Sequence, residues 1–266
     1  IKETSVLESL KNIITNRPLL AVILANFFNS FKSVGGSSES YFWLNNTGSL
    51  LNQTICGLFT GIPNYIMVPI AAKMVKKWGA RATSIIAGLF GFFAYMTLFF
   101  VGFHPFGQTF KDHYIFNLIW VIFGLTICGL PNKILNVSGQ IVTAEALDYM
   151  EWKHGLRNEA LVTTVQGYFG KLATSVTGWL SGMVLTWINY VPLTDSLGNA
   201  VPQTDPTMLN GIWAVFCILP ALARGLYGVS FIIYPIHGDL QQQMIIELAE
   251  KRAQRLAEQE AKDHQA

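Results

Sequence analysis

From Ile85 to Phe103 the chain carries no charged residue. A soluble amphipathic helix places polar residues along its outer face every three or four positions, whereas a bilayer core about 30 Å thick is crossed by about 20 consecutive apolar residues. Several other stretches share this character, and hydrophobic residues make up 51% of the chain against 13% charged. That balance excludes an ordinary soluble domain and points to an all-α integral membrane protein. Windows of span length place six transmembrane helices at roughly Pro18 to Trp43, Thr54 to Ala72, Ala82 to Phe103, Tyr114 to Asn136, Leu161 to Tyr190 and Met208 to Tyr234. Residues 1–17 read as a cytoplasmic lead-in, 18–235 as the six-helix bundle and 236–266 as a cytoplasmic amphipathic tail. Ile1 in place of Met points to a longer parent protein.

The second half of the first span is polar, with Lys32, Ser33, Ser37, Ser38 and Glu39. Lipid would not accept such a face, so it is expected to turn inward on a watery cavity. Basic residues gather in alternate connections, all on one side of the spans. Lys2, Lys11 and Arg17, then Lys73, Lys76, Lys77 and Arg81, then Lys153 and Arg157, and finally Lys251, Arg252, Arg255 and Lys262 share one side. By the positive-inside rule both ends of the chain are cytoplasmic. The opposite side carries turn chemistry, His104 to Gly107 and Asp195 to Asn199. The net charge of +2 is scattered between apolar runs, which gives nucleic-acid binding no support. Cys56, Cys128 and Cys217 lack metal or disulfide spacing and read as small buried hydrophobes; nothing calls for a cofactor. In the tail, Leu240, Met244, Leu248 and Leu256 form a partial stripe on a helix expected to be largely solvated, with an interfacial anchor as the alternative.

The fifth span carries the most chemistry. At about 100° per residue, Thr163, Gly167, Gly170, Lys171, Thr174, Gly178, Ser181 and Gly182 share a small, polar face, and Val162, Val165, Phe169, Leu172, Val176, Leu180 and Met183 lie opposite. Lys171 falls about 15 Å along from Leu161, near mid-membrane, where a lysine costs at least about 2.5 kcal/mol unless water, a carboxylate or a polar ligand meets it. Glu39 is a candidate partner. Gln166, on the edge of the face, both donates and accepts hydrogen bonds as sugar hydroxyls require, and Asn132 and Asn136 of the fourth span offer the same chemistry. Arg224, within the sixth span, is a second costly charge.

Between spans four and five stand Asp148, Tyr149, Glu151, Lys153, Gly155, Arg157 and Glu159. This pattern resembles the Asp-Tyr-x-Glu-x-Lys-x-Gly-x-Arg-x-Glu signature of the glycoside-pentoside-hexuronide:cation symporter family within the major facilitator superfamily, the group that includes melibiose permease. Lys171 and Gln166 are similar to positions that family uses in its eleventh helix. The chain departs from the family pattern at Glu145, His154, Ala160 and Asn136. The resemblance implies the C-terminal half of a twelve-helix transporter, with a six-helix N-terminal half as its partner. It implies uptake of a glycoside, pentoside or uronide coupled to Na⁺ or H⁺ by alternating access, with Lys171, Gln166, Gly167, Thr174 and Asn136 at the substrate site. Asp148, Tyr149, Glu151, Lys153, Arg157 and Glu159 would form a cytoplasmic gate, whose exposed ion pairs, each worth about 0–1 kcal/mol, suit a contact that must reopen. Two other classes stay open: a sensor or accessory half-transporter, and an enzyme acting on lipid-linked sugars, which would need a carboxylate pair or metal ligands beside the membrane.

Overall fold

The computed structural model describes residues 16–102, 110–155 and 159–263. Lys2, Lys11, Arg157 and the turn from His104 to Gly107 lie outside the described residues. Among the described residues, seven α-helices carry the architecture: α1 (Arg17–Ser30), α2 (Lys32–Thr47), α3 (Leu51–Val101), α4 (Tyr114–His154), α5 (Glu159–Trp187), α6 (Pro206–Ser230) and α7 (Gly238–Asp263). Two short antiparallel strands, β1 (Leu193–Thr194) and β2 (Ala200–Val201), form a hairpin between α5 and α6. Asp195 shapes its turn, accepting from the Leu197 and Asn199 amides at 2.9 and 2.8 Å.

Local chemistry sets the ends of these helices. The Asn16 side chain accepts from the Leu19 amide at 3.1 Å, and Asp205 accepts from Thr207 at 2.8 Å with Pro206 opening α6. Gly48 and Gly155 close α2 and α4 in the left-handed conformation. The first expected span is broken at Phe31 into α1 and α2. Gly35 sits against the Pro220 ring, where a Cβ would meet its Cγ at 2.6 Å, so α2 and α6 touch at a glycine–proline contact.

Spans two and three form one helical run with a turn of a single residue. Drawn straight, α3 would extend for roughly 75 Å, over twice the thickness of the hydrocarbon core. Instead, Gly79 adopts φ 80° and ψ 160° and the helix reverses. Asn52 near its start donates to Tyr114 Oη at 2.7 Å, and Trp120 donates to the Gly102 carbonyl at its end at 3.0 Å. Both ends of α3 therefore meet the same end of α4. Residues 51–78 and 80–101 are two antiparallel arms, and Ser84 and Ser138 hydroxyls join the second arm to α4 at 2.9 Å. Just after the turn, Arg81 donates to the Phe231 and Ile232 carbonyls at 3.1 and 2.9 Å, satisfying acceptors that the end of α6 leaves open.

Two apolar clusters fill the interior. One joins Leu19, Val22, Leu135, Val142 and Tyr234 to Met244 and Leu248 of α7. The other holds Phe42, Trp43, Val121, Trp213 and Phe216, with Phe42 and Phe216 stacked at 4.8 Å. Large apolar residues also cover the outside: Phe59, Ile62, Tyr65, Phe93, Ile115 and Phe116 are each more than 60% exposed. An apolar exterior around polar interior cavities suits lipid as the surrounding medium. Among the described residues, four helices or helix pairs, Arg17–Thr47, Leu51–Val101, Tyr114–Lys153 and Pro206–Ile233, are long and apolar enough to cross a membrane. The Gly, Thr, Gln and Lys residues on one face of α5 lower its apolarity, and α5 is not among the four.

Candidate functional site: a cation-lined cavity and a clasped helix end

A cavity of about 550 Å³ opens between α2, α3, α4 and α6. The polar half of the first expected span faces it: Lys32, Ser33 and Glu39 line the cavity with Thr60 and Asn64 of α3, Asn132, Lys133 and Asn136 of α4, and Arg224 of α6. A second cavity of about 500 Å³ is lined by Asn26, Asn29, Gln140, Thr143, Gln166 and Tyr227, and it shares Asn136 with the first. Each volume falls within the roughly 300–1,000 Å³ of small-molecule sites.

Several polar atoms in these walls are buried without a protein partner. Asn64 Oδ1, Gln166 Nε2 and Arg224 Nε have no hydrogen-bond partner among the described residues. Because an unpaired buried polar atom costs about 1–3 kcal/mol, three of them around adjoining cavities mark places for water or a hydroxylated ligand. Arg224 is only 3% exposed; its Nη1 donates to Asn29 Oδ1 at 3.1 Å, and its stem lies against Gly91, where a Cβ would approach within 3.1 Å.

Two of the five expected substrate residues, Gln166 and Asn136, meet in the second cavity. Lys171, Gly167 and Thr174 line neither cavity and are exposed. The stripe of α5 that packs inward is Val162, Ala173, Thr177 and Val184, and the small polar face begins beside it. Bulky Tyr168, Leu172 and Trp179 form the remaining exposed side, at 65, 43 and 65% exposure. The expected Lys171–Glu39 partnership is absent: Glu39 lines the first cavity and accepts from Trp43 Nε1 at 3.4 Å.

Two of the expected gate acids, Asp148 and Glu151, are held by the tail. Arg252 of α7 bonds Asp148 at 2.8 Å and also Glu151, and Arg255 bonds Glu151 at 3.3 Å. Trp152 donates to Glu247 at 2.6 Å, while Tyr234 and Gln241 donate to Glu145 at 2.9 and 2.7 Å. Lys153 lies over the Tyr149 ring at 5.6 Å, and Glu159 opens α5. The tail is therefore docked rather than solvated along its whole length: Met244 and Leu248 are buried against α4, while Leu256 stays exposed. A stripe of three or four leucines and methionines cannot show which helix receives it, whereas complementary charges on α4 and α7 do.

These contacts have a pH signature. The Glu247 carboxyl is held below the usual range by the Trp152 hydrogen bond and then by Gln243. A lowered carboxyl adds stability above its unfolded pKa and loses it as pH falls through the folded value, so this contribution persists at neutral pH and fades only in acid. Glu151 and then Asp148 hold the Arg252 guanidinium above its ordinary value, so it stays charged throughout the physiological range. Glu151→Gln removes the charge shared by two arginines and turns one of its acceptor oxygens into a donor, and should weaken tail docking by about 1–2 kcal/mol. Backbone amide exchange in α7 should then quicken by roughly 5- to 30-fold at neutral pH. Unchanged exchange would show that the apolar contacts alone hold the tail.

The profile of MFS/sugar transport proteins matches residues 2–238. The chain belongs to this family. It is 30% identical to an uncharacterized symporter of Bacillus subtilis over 94% of its own length and 50% of that protein's. It is 22% identical to the isoprimeverose transporter of Lactiplantibacillus pentosus, over 95% and 49% of the two lengths. A glucuronide carrier protein homolog of Escherichia coli is also 22% identical, over 92% and 50%. The chain spans about half the length of the curated relatives it matches. In this MFS sugar-transport chain, sequence reasoning passed over Thr60, Asn64 and Lys133 as lining residues. Each interrupts an apolar run at membrane depth, and that interruption was the available signal.

Proposed function

We propose that the complete protein imports a sugar in symport with a cation by alternating access, and that this chain supplies six of its membrane spans with both ends in the cytoplasm. The observation that carries the reading is the pair of polar cavities meeting at Asn136 inside a bundle whose outer surface is apolar. Relatives named as an isoprimeverose transporter and a glucuronide carrier protein homolog support a sugar as cargo. Gln166 and Asn136 take sugar hydroxyls from one side, and Lys171, Gly167 and Thr174 present the small polar face of α5 from another. The broken first span, the two arms of α3, α4, α5 and α6 make up the six spans, with residues 18–235 as the bundle.

Asp148, Tyr149, Glu151, Lys153, Arg157 and Glu159 form the cytoplasmic gate in this reading. Because Arg252 and Arg255 already hold Asp148 and Glu151, the tail limits how freely the end of α4 swings. The test is uptake of a panel of labelled sugars by cells expressing the complete gene product, with Na⁺ and pH varied. Accumulation that collapses when one cation gradient is dissipated supports symport. Equilibration without accumulation would refute coupling, and no uptake of any sugar would refute transport.

A further inference from the structure

The two cavities are stacked along the bundle axis. On α4 the first is lined by Asn132 and Asn136 and the second by Asn136, Gln140 and Thr143. On α6 the first reaches Arg224 and the second meets Tyr227, about one turn further on. Tyr227 Oη donates to the Leu135 carbonyl at 3.4 Å, which sets the two helices at the same depth where one cavity gives way to the other. Arg224 belongs to the first cavity and Asn29 to the second, so the 3.1 Å hydrogen bond from Arg224 Nη1 to Asn29 Oδ1 crosses their boundary.

The donor of this bond is fixed and the acceptor stands on a bent segment. Arg224 is 3% exposed, and its stem runs over Gly91 of the second arm of α3, where a Cβ would stand 3.1, 3.2 and 3.4 Å from Arg224 Cγ, Cβ and Cδ. Any larger residue at position 91 would press on that stem. Asn29 lies two residues before the break at Phe31, where Phe31 N bonds the Phe28 carbonyl at 3.0 Å and Val34 N bonds the Phe31 carbonyl at 3.2 Å, both three residues back. The Ser30 and Ser33 hydroxyls bond the Asn26 and Ser30 carbonyls at 3.0 and 2.7 Å. Tightened turns and hydroxyls bonded back to the helix bend it and mark where it flexes.

We infer that the Arg224–Asn29 hydrogen bond is a bar between the two cavities, which parts when α1 moves at the Phe31 break. Arg224 is then a positioning residue: seated over Gly91, it fixes where Asn29 and the adjoining end of the second cavity come to rest. The inference rests on the transport reading above and deepens it, and every contact it uses lies within this chain. With both chain ends in the cytoplasm, the first cavity is the outer one, so solute entering it meets the bar before it reaches Gln166.

The experiment labels the complete gene product, its native cysteines replaced by alanine, in whole cells with a membrane-impermeant methanethiosulfonate. One reporter is Thr143→Cys in the second cavity and the other is Thr60→Cys in the first. Asn29→Ala should speed labelling at position 143 about tenfold, as loss of one hydrogen bond to a charged group provides. Asn29→Asp, which keeps an acceptor and adds a charge opposite to that of Arg224, should slow it several-fold. Gly91→Ala leaves both partners in place but displaces the stem, and should speed it several-fold. Labelling at position 60 should stay within twofold throughout. Equal rates at position 143 in all these variants would overturn the inference, as would parallel changes at position 60, which would report general loosening of the bundle. Labelling needs no sugar, so either result alongside normal uptake leaves transport standing, whereas absence of uptake for every sugar in the unmutated protein would overturn both readings.

Discussion

Gly88→Ala is expected to lower the melting temperature of the detergent-solubilised protein steeply and to reduce its yield as a monodisperse species. A Cβ at this position would stand 2.7 Å from Gly228 Cα, 2.8 Å from Gly228 N and 2.9 Å from the Arg224 carbonyl oxygen. All three are backbone atoms of α6, so no rotamer change relieves the clash and the helix itself must move. Overpacking commonly costs about 1–3 kcal/mol, and displacement of a whole helix belongs at the upper end or beyond. The loss is large beside a total stability of about 5–15 kcal/mol. Movement of α6 would also disturb Arg224, which anchors it to Asn29. Gly61→Ala provides the control: nothing lies within 4 Å of its added Cβ, and alanine favours the helix by about 1 kcal/mol. Should Gly88→Ala melt at or above the wild-type temperature, α3 and α6 would not approach at these glycines.

Lys171→Ala in the complete gene product is expected to abolish most gradient-driven sugar accumulation without loss of membrane insertion. Lys171 lies about 18 Å along α5 from Glu159, near the middle of the helix. There its ammonium is exposed at the edge of the face that carries Gly167, Gly170 and Thr174, next to the bulky exposed side of Tyr168 and Trp179. Facing lipid it would cost at least about 2.5 kcal/mol, so that face is expected to meet water, cargo or the remainder of the transporter. A structural role predicts lowered protein levels, whereas a role in transport predicts normal levels with little accumulation. Wild-type accumulation in the variant would remove Lys171 from the site.

The sites of greatest legibility were those where one residue conflicts with its surroundings. Lys32 and Glu39, in the polar second half of an otherwise apolar span, marked its inward face, and they line the cavity. Gln166 and Asn136 were readable as polar side chains at membrane depth, and they share the second cavity. Lys171 was equally conspicuous, yet depth alone does not tell whether a side chain meets a cavity within its own bundle or stands on an open face. Arg224 was recognisable as costly but had no evident partner. Asn29, which receives it, is 195 positions away in sequence, and no periodicity links them.

By itself the sequence determined the medium and the bulk of the helical plan, because the length and apolarity of a span answer to bilayer thickness and hydrogen-bond closure, which are local requirements. It also marked the charged signature from Asp148 to Glu159, since those residues stand at fixed spacing. Tertiary structure alone decided that Gly79 folds two spans into one hairpin, that Asp148 and Glu151 are held by the tail, and that three cations converge on one cavity. Those outcomes depend on where helices distant in sequence come to rest. Close approach at Gly35, Gly88 and Gly228 sets that arrangement, through contacts between chain segments that no local pattern records.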